Sequence, residues 1–409
     1  MKVKREEAKG IINGRVKVTG TETKVLDEAY GRVIAQDVVS PVDIPDEDKS
    51  AIDGFAFNTD SLTELPARLK VVGEIPAGSQ KKFSLKRGEA AFVMTGGVIP
   101  EGSNAAVRIE DVKVEGDEIV IDFPVEEGNL VNFRGSEIRK GERVIKRGEF
   151  LDYRKVGLLA HLGVYRIKVF QRVKVGIVTT GTEVLEPEEP FRKGAVRNTN
   201  FYTLKGLLES LGAEVVYVGK GKDNVEELKE LIAQSLSTCD FTVTTGGISK
   251  GKYDLVREVI RELGVEILFT QTDIRPGRPL TFGVREDKLF FGLPGYPAAC
   301  LVNALEFLVP AVKKAMGIKE FQNKYVTAVA GDKLKSRKGR VDFVRVKLSS
   351  EEGVLKVYPE SNQQTSNFLT VVKCQGLAVI GRERENVEKG ETVEVLLFNN
   401  PFQENTYSV

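Results

Sequence analysis

The sequence has no tryptophan, a single histidine and only three cysteines, and each scarcity removes a class of chemistry. Cys239, Cys300 and Cys374 lie far apart, with no Cys-x-x-Cys spacing for zinc or redox work, and read as small buried hydrophobes. A Ser-His-Asp triad or a His-rich zinc site would have to be built around His161 alone. Its neighbours Leu158, Leu159, Ala160 and Leu162 predict instead a helix packed on a core. Long apolar runs are also missing. No window reaches the roughly 18 unbroken apolar residues a bilayer span needs, and even the apolar segment Leu158 to Phe170 is interrupted by His161, Arg166 and Lys168. The N-terminus, Met1-Lys-Val-Lys-Arg-Glu-Glu, has no apolar stretch of a secretory peptide, so the expected location is cytoplasmic, with no membrane partner. Neither charge sign dominates: 60 Lys plus Arg face 59 Asp plus Glu. Nothing in that balance draws the chain to nucleic acid, and any anion site must be local. Carboxylates, Arg, Lys, hydroxyls and a metal held by oxygen remain as chemical resources.

What is present is a chain of 409 residues, enough for three or four domains. From Val173 to Met316 the pattern alternates strand, turn and helix. Val173, Val175 and Ile177 lead into Thr179-Thr-Gly-Thr-Glu183, and Leu204, Leu207, Leu208 and Leu211 then give a helix one apolar face that ends at Gly212. Strands at Glu214–Val218 and Phe241–Thr244 alternate with helices starting at Asn224 and Asp254, which predicts a doubly wound α/β unit with a parallel sheet covered on both faces. Strands near Val265 to Phe269, Leu280 to Val284 and Leu289 to Phe291 complete it, and Pro310 is expected to kink the last helix. Residues from about Asp43 to Lys140 read as mainly β, and strands after Gln322 suggest a small barrel or sandwich.

Three Gly-rich loops follow strands of the α/β unit: Thr180-Gly181-Thr182-Glu183, Thr245-Gly246-Gly247-Ile248-Ser249 and Gly292-Leu-Pro294-Gly295-Tyr-Pro297. In an open parallel sheet such loops gather beyond the carboxyl ends of the strands, where backbone N–H groups and helix N-termini attract phosphate. Glycine also serves ordinary turns, but three at one sheet edge favour a ligand site. Arg275-Pro-Gly-Arg278-Pro adds two permanent cations on a proline-stiffened loop, read as an oxyanion grip against the alternative of a solvated turn. Glu183, Asp223 and Asp254 stand beside these loops, as Mg²⁺ ligands or hydrogen-bond acceptors. Asp223 and Asp254 serve equally as helix caps.

Seven motifs in order carry a resemblance: Ser40-Pro-Val-Asp-Ile-Pro, Ser50-Ala-Ile-Asp-Gly-Phe-Ala, Met94-Thr-Gly-Gly, Thr180-Gly-Thr-Glu, Thr245-Gly-Gly-Ile-Ser, Arg275-Pro-Gly-Arg-Pro and Gly292-Leu-Pro-Gly-Tyr-Pro. Together they resemble the MoeA family of molybdopterin molybdenumtransferases, which includes the C-terminal part of gephyrin. The resemblance implies a homodimer and a MoaB/MogA-like α/β domain at 171–318. Around it stand a discontinuous linking and dimerisation domain at 1–42 plus 141–170, a mainly β domain at 43–140 and a C-terminal β-barrel at 322–409. It implies Mg²⁺-dependent insertion of molybdate or tungstate into adenylylated molybdopterin with release of AMP, downstream of a molybdopterin-adenylylating partner.

By the same resemblance Gly181, Gly246, Gly247, Ser249, Pro294 and Gly295 hold substrate, and Arg275 and Arg278 attract the polyanion and the oxyanion. Glu183, Asp223 and Asp254 match the family's acidic positions, with Glu183 and Asp254 assigned to the metal. Asp53, Thr95 and Glu137 are expected to act across the dimer, and Arg345 and Ser366 to assist oxyanion binding. Arg275 and Arg278 replace frequent lysines, Gln271 another, Glu137 a common Asp, and Tyr296 a frequent Asn. Alternatives are adenylylation of molybdopterin by the α/β unit itself and a non-catalytic cofactor-binding scaffold.

Overall fold

A computed structural model describes residues 1–79, 83–221, 224–247 and 255–398. The chain divides into two compact units, one of residues 1–35, 148–153 and 166–409, the other of residues 36–147 and 154–165.

The larger unit is organised by a six-stranded sheet. Its strands are β1 (Lys174–Thr180), β2 (Glu214–Gly221), β3 (Phe241–Thr245), β4 (Glu266–Gln271), β6 (Pro279–Arg285) and β7 (Lys288–Leu293), with the two-residue β5 (Ile274–Arg275) between β4 and β6. The spatial order is β2-β1-β3-β7-β6-β4. Side chains alternate across a strand, so Val175 and Ile177 of β1 pack with Phe201, Leu204 and Leu208 of the helix Thr199–Ser210. Val178 packs on the other face with Leu228 and Ile232 of Val225–Thr238 and with Val259 and Ile260 of Leu255–Glu262. Both faces are covered, as the alternation of elements predicts. The sheet is not wholly parallel, however. β2, β1, β3 and β7 run parallel, whereas β6 pairs antiparallel with both β7 and β4. The reason is the short turn at Glu286 and Asp287: a two-residue connection can only fold the chain back as a hairpin.

Proline at 310 acts differently from a simple kink. The helix Pro297–Asn303 passes through a π-helical turn, Ala304–Leu308, before resuming at Val309–Ala315, and the Val309 N–H donates to the Ala304 carbonyl five residues back. That wider turn holds the fully buried Glu306, which pairs with Arg5 Nε at 2.5 Å and Lys9 Nζ at 2.6 Å from the N-terminal helix Arg5–Arg15.

The C-terminal strands β8 (Val326–Ala330), β9 (Val341–Glu351), β10 (Val354–Pro359), β11 (Gly376–Ile380) and β12 (Thr392–Leu397) pair in the order β9-β10-β8-β12-β11. β11 pairs back onto β9, which closes a five-stranded barrel around Val346, Val357, Ala378 and Val395.

The smaller unit carries its own six-stranded sheet, with Glu89–Val93 and Ala67–Ile75 central and Gly54–Phe57 second from one edge. Phe55 and Phe57 face one core with Leu69 and Ile119, while Ala56 faces another with Ile75 and Val93. All three cysteines are buried. Among the described residues no helix is long and apolar enough to cross a membrane.

Candidate functional site

β1, β3 and β7 are adjacent parallel strands, so the loops that follow them leave the same sheet edge. The Gly246 N–H donates to the Leu293 carbonyl at 3.0 Å, and Thr180 Oγ1 donates to the Thr245 carbonyl at 3.1 Å, which ties the three loops together. Gly246 and Gly247 both have positive φ, +89° and +66°. A Cβ at Gly246 would lie 2.8 Å from Thr180 Oγ1, and one at Gly247 would lie 2.6 Å from Val256 Cγ2. Side-chain-bearing residues are thus excluded twice, by dihedral and by space, and the bare backbone is free for close approach by a ligand. Asn200, in the first turn of Thr199–Ser210, donates from Nδ2 to the Gly295 carbonyl at 3.0 Å and fixes the third loop.

These loops open onto a cleft of about 1240 Å³. One wall is the loop through Arg275 and Arg278. It is pinned at two places: Asn303 Nδ2 donates to the Gly277 carbonyl at 2.9 Å, and the Thr272 N–H to the Arg278 carbonyl at 2.9 Å. β5 meanwhile pairs in parallel with β9 of the barrel, Arg275 opposite Asp342. Barrel loops add Arg337 to Arg340 and Thr365, Ser366 and Phe368 to the lining, with the Ala298 N–H reaching the Thr365 carbonyl at 3.3 Å. The lining includes seven cations (Lys2, Arg197, Arg275, Arg278, Arg337, Lys338, Arg340) against two carboxylates, Glu183 and Asp273. That excess of five stands on a chain whose whole net charge is +1. The positive charge is local to this cleft.

Of the residues singled out from the sequence, Gly181, Glu183, Gly246, Gly247, Arg275, Arg278, Pro294, Gly295 and Ser366 line this cleft. Asp223, Ser249 and Asp254 fall outside the described residues. Arg345 is not among the residues that line the cleft. Its side chain is buried and donates from Nη2 to the carbonyls of Asn362 and Gln364 at 3.3 and 3.1 Å, which shapes the loop that carries Ser366, while its Nε and Nη1 bond to nothing in the described structure. Burial pulls its guanidinium below the ordinary value. Nearby Cys374 is pushed up to about 11, chiefly by burial, which removes it as a thiolate.

Asp53, Thr95 and Glu137 belong to the smaller unit. Asp53 Oδ1 accepts from the Thr95 N–H at 2.7 Å and from the Thr95 hydroxyl at 2.8 Å, which holds its carboxyl below the usual range, the backbone bond foremost. The helix expected around His161 is present as Tyr153–His161; only Leu159 of it is buried, and the half-exposed ring of His161 lies 3.7 Å from Glu137 Oε1.

Several lining residues went unnoticed in the sequence: Lys2, Asn200, Arg337, Lys338 and Arg340. The basic run Arg337-Lys-Gly-Arg340 was the available signal. Among the described residues no three His, Cys, Asp or Glu side chains gather into a metal cluster. Glu183 is the one described carboxylate of the pair expected to hold Mg²⁺. Such a donor set fits an ion that keeps water and substrate phosphate oxygens as its remaining ligands.

Comparison with known proteins places the chain. Residues 3–163 match the MoeA N-terminal region (domain I and II), residues 176–314 the family described as "Probable molybdopterin binding domain", and residues 327–398 the MoeA C-terminal region (domain IV). The molybdopterin molybdenumtransferase of Haemophilus influenzae is 34% identical, over 93% of this chain and 95% of its own length. That of Nostoc sp. is 31% identical, over 92% and 88%. The crystal structure of the molybdopterin biosynthesis moeA protein from Pyrococcus horikoshii OT3 superposes with a TM-score of 0.85 at 31% identity, covering 97% of this chain and 100% of that one.

Proposed function

Because the chain belongs to the MoeA family, we propose that it performs the transferase step of molybdenum cofactor biosynthesis, taking adenylylated molybdopterin and molybdate or tungstate to the metallated cofactor and AMP. The observation that supports this most is the cleft: backbone-lined glycine loops and an excess of cations suit a substrate with a phosphoanhydride and a second, oxyanionic substrate. Adenylylation and a scaffold role are not favoured, since relatives along most of the chain carry the transferase name.

In this reading a substrate phosphate sits against the Gly246–Gly247 loop, where no side chain blocks its approach, and Arg275 and Arg278 hold the oxyanion beside it. Glu183 and Asp254 would hold Mg²⁺, which would supply polarisation of the phosphoanhydride. Asp223 completes the acidic set, Ser249 the phosphate loop, and Tyr296, 61% exposed on its proline-flanked loop, offers a stacking face for a planar ring. Ser366 stands at the barrel side, its loop positioned by Arg345. No side chain forms a covalent intermediate. The four-part division drawn from the sequence belongs to the same proposal, as do a cytoplasmic location and an upstream adenylylating partner.

The proposal also takes a second copy of this chain to bring Asp53, Thr95 and Glu137 to the cleft. Mixing Asp53→Ala and Glu183→Ala chains would then restore activity that neither has alone. For the reaction itself the test is single turnover of purified adenylylated molybdopterin, following AMP with each oxyanion. AMP release that ignores both oxyanions, or wild-type rates in Asp53→Ala, Glu183→Ala and Asp254→Ala alike, would overturn it.

A further inference from the structure

The barrel contributes a basic turn to the cleft that the phosphate and oxyanion assignments above do not use. It is the turn between Leu334–Lys335 and β9, with Gly339 at a φ of +93°. Its conformation is organised by one buried carboxylate. Asp342 Oδ2 accepts from Ser336 Oγ at 2.7 Å and from the Arg337 N–H at 3.2 Å, and Arg340 Nε lies 3.1 Å from Oδ1. The Gly339 N–H donates to the Arg382 carbonyl at 2.7 Å, which closes the turn from its other side.

This arrangement has an electrostatic consequence. Asp342 spends its charge on Arg340, and the second carboxylate nearby, Asp273, accepts from the Arg5 N–H and pairs with Arg382. Arg337 and Lys338 are therefore left exposed at the cleft with no ion pair among the described residues. Arg340 adds a further sign of a missing partner, since its Nη2 is buried and bonds to nothing in the described structure. A solvated surface turn has no need of a buried carboxylate to fix its shape. Asp342 is also the residue paired in register with Arg275, so the basic turn and the Arg275 loop lie side by side.

We propose that Arg337 and Lys338 form an anion subsite for a tetrahedral dianion, separate from the Gly246–Gly247 loop, on the barrel side of the cleft. The proposal rests on the transferase reading, which supplies two such ligands: the phosphate monoester of AMP and the free metal oxyanion. Two adjacent cations on a fixed turn match that charge, and a planar guanidinium binds such oxygens in pairs.

The test is calorimetric titration of the full chain with AMP, adenosine and molybdate, in wild type, Arg337→Gln/Lys338→Gln and the charge-keeping Arg337→Lys/Lys338→Arg. The Gln pair should weaken one dianion by about tenfold, flatten the salt dependence of its binding, and leave adenosine unchanged. Loss confined to AMP identifies the phosphate as the occupant, and loss confined to molybdate identifies the oxyanion. The charge-keeping pair should bind within about threefold of wild type. Unchanged binding of both dianions in the Gln pair, or an equal loss for adenosine, refutes the subsite. Wild-type protein that binds neither AMP nor molybdate would instead refute the transferase reading itself.

Discussion

Replacing Gly246 by alanine tests whether the glycine loop is shaped for its ligand or is a permissive turn. Two costs fall on that substitution. An alanine held at φ +89° is strained by about 1–3 kcal/mol. Its Cβ would then sit 2.8 Å from Thr180 Oγ1 and 3.0 Å from the Thr180 carbonyl. Thr180 has little room to yield, being buried and bonded to the Thr245 carbonyl. Relieving the overlap should add about 1–3 kcal/mol more. Gly194 separates the terms, since its φ is +86° and nothing lies within 4 Å of its Cβ position. Gly194→Ala should therefore lose about 1–3 kcal/mol and Gly246→Ala about 2–6, read from urea unfolding of the α/β transition. If the loop escapes by shifting, the missing stability loss reappears as weaker AMP binding, by about tenfold or more. Equal destabilisation of the two variants with AMP affinity intact would refute the argument.

Glu306→Gln leaves Arg5 and Lys9 with only the exposed Glu6 as counter-ion. A loss toward the lower end of about 3–5 kcal/mol is expected in thermal or denaturant unfolding, because both cations keep 14% of their side-chain surface in water. Asp53, with its depressed carboxyl, should titrate below the ordinary range by carboxyl-carbon NMR. Stability from its Thr95 bonds is present above that range and lost as pH falls through the lowered value. Thr95→Val should raise the titration only in part, because the backbone N–H, the larger cause, remains, and an unmoved midpoint would exclude a role for the hydroxyl. Since the chain has no tryptophan, Tyr296→Trp creates a lone reporter. Its fluorescence should respond to AMP and to a free pterin but not to ribose 5-phosphate, and an equal response to the sugar phosphate would remove the stacking role.

The elements legible in the sequence were those whose cause is local. The 3.6-residue spacing of Leu204 and Leu208, the alternation around Val175 and the glycines after β1, β3 and β7 all express constraints within a few residues. The unread parts depend on contacts between distant segments. Arg337 and Lys338 look like surface charge until β9 is known to lie against β5. That Arg345 is buried and braces the Ser366 loop through the Asn362 and Gln364 carbonyls is likewise set by segments that no local pattern connects. The antiparallel half of the sheet could have been inferred from the two-residue turn at Glu286 and Asp287. The π-turn before Pro310 could not, because it is stabilised by Arg5 and Lys9 from the opposite end of the chain.

The two-residue pairing of Ile274–Arg275 with Val341–Asp342 sets a rule for interchange of parts. Successive side chains on a strand point to opposite faces, so a slip of one residue between these segments would turn Arg275 away from the cleft while leaving both domains intact. A barrel borrowed from a relative would have to match the phase of its second strand as well as its shape. In this protein the barrel acts as a gauge for the neighbouring domain, and the two can change in evolution only in step.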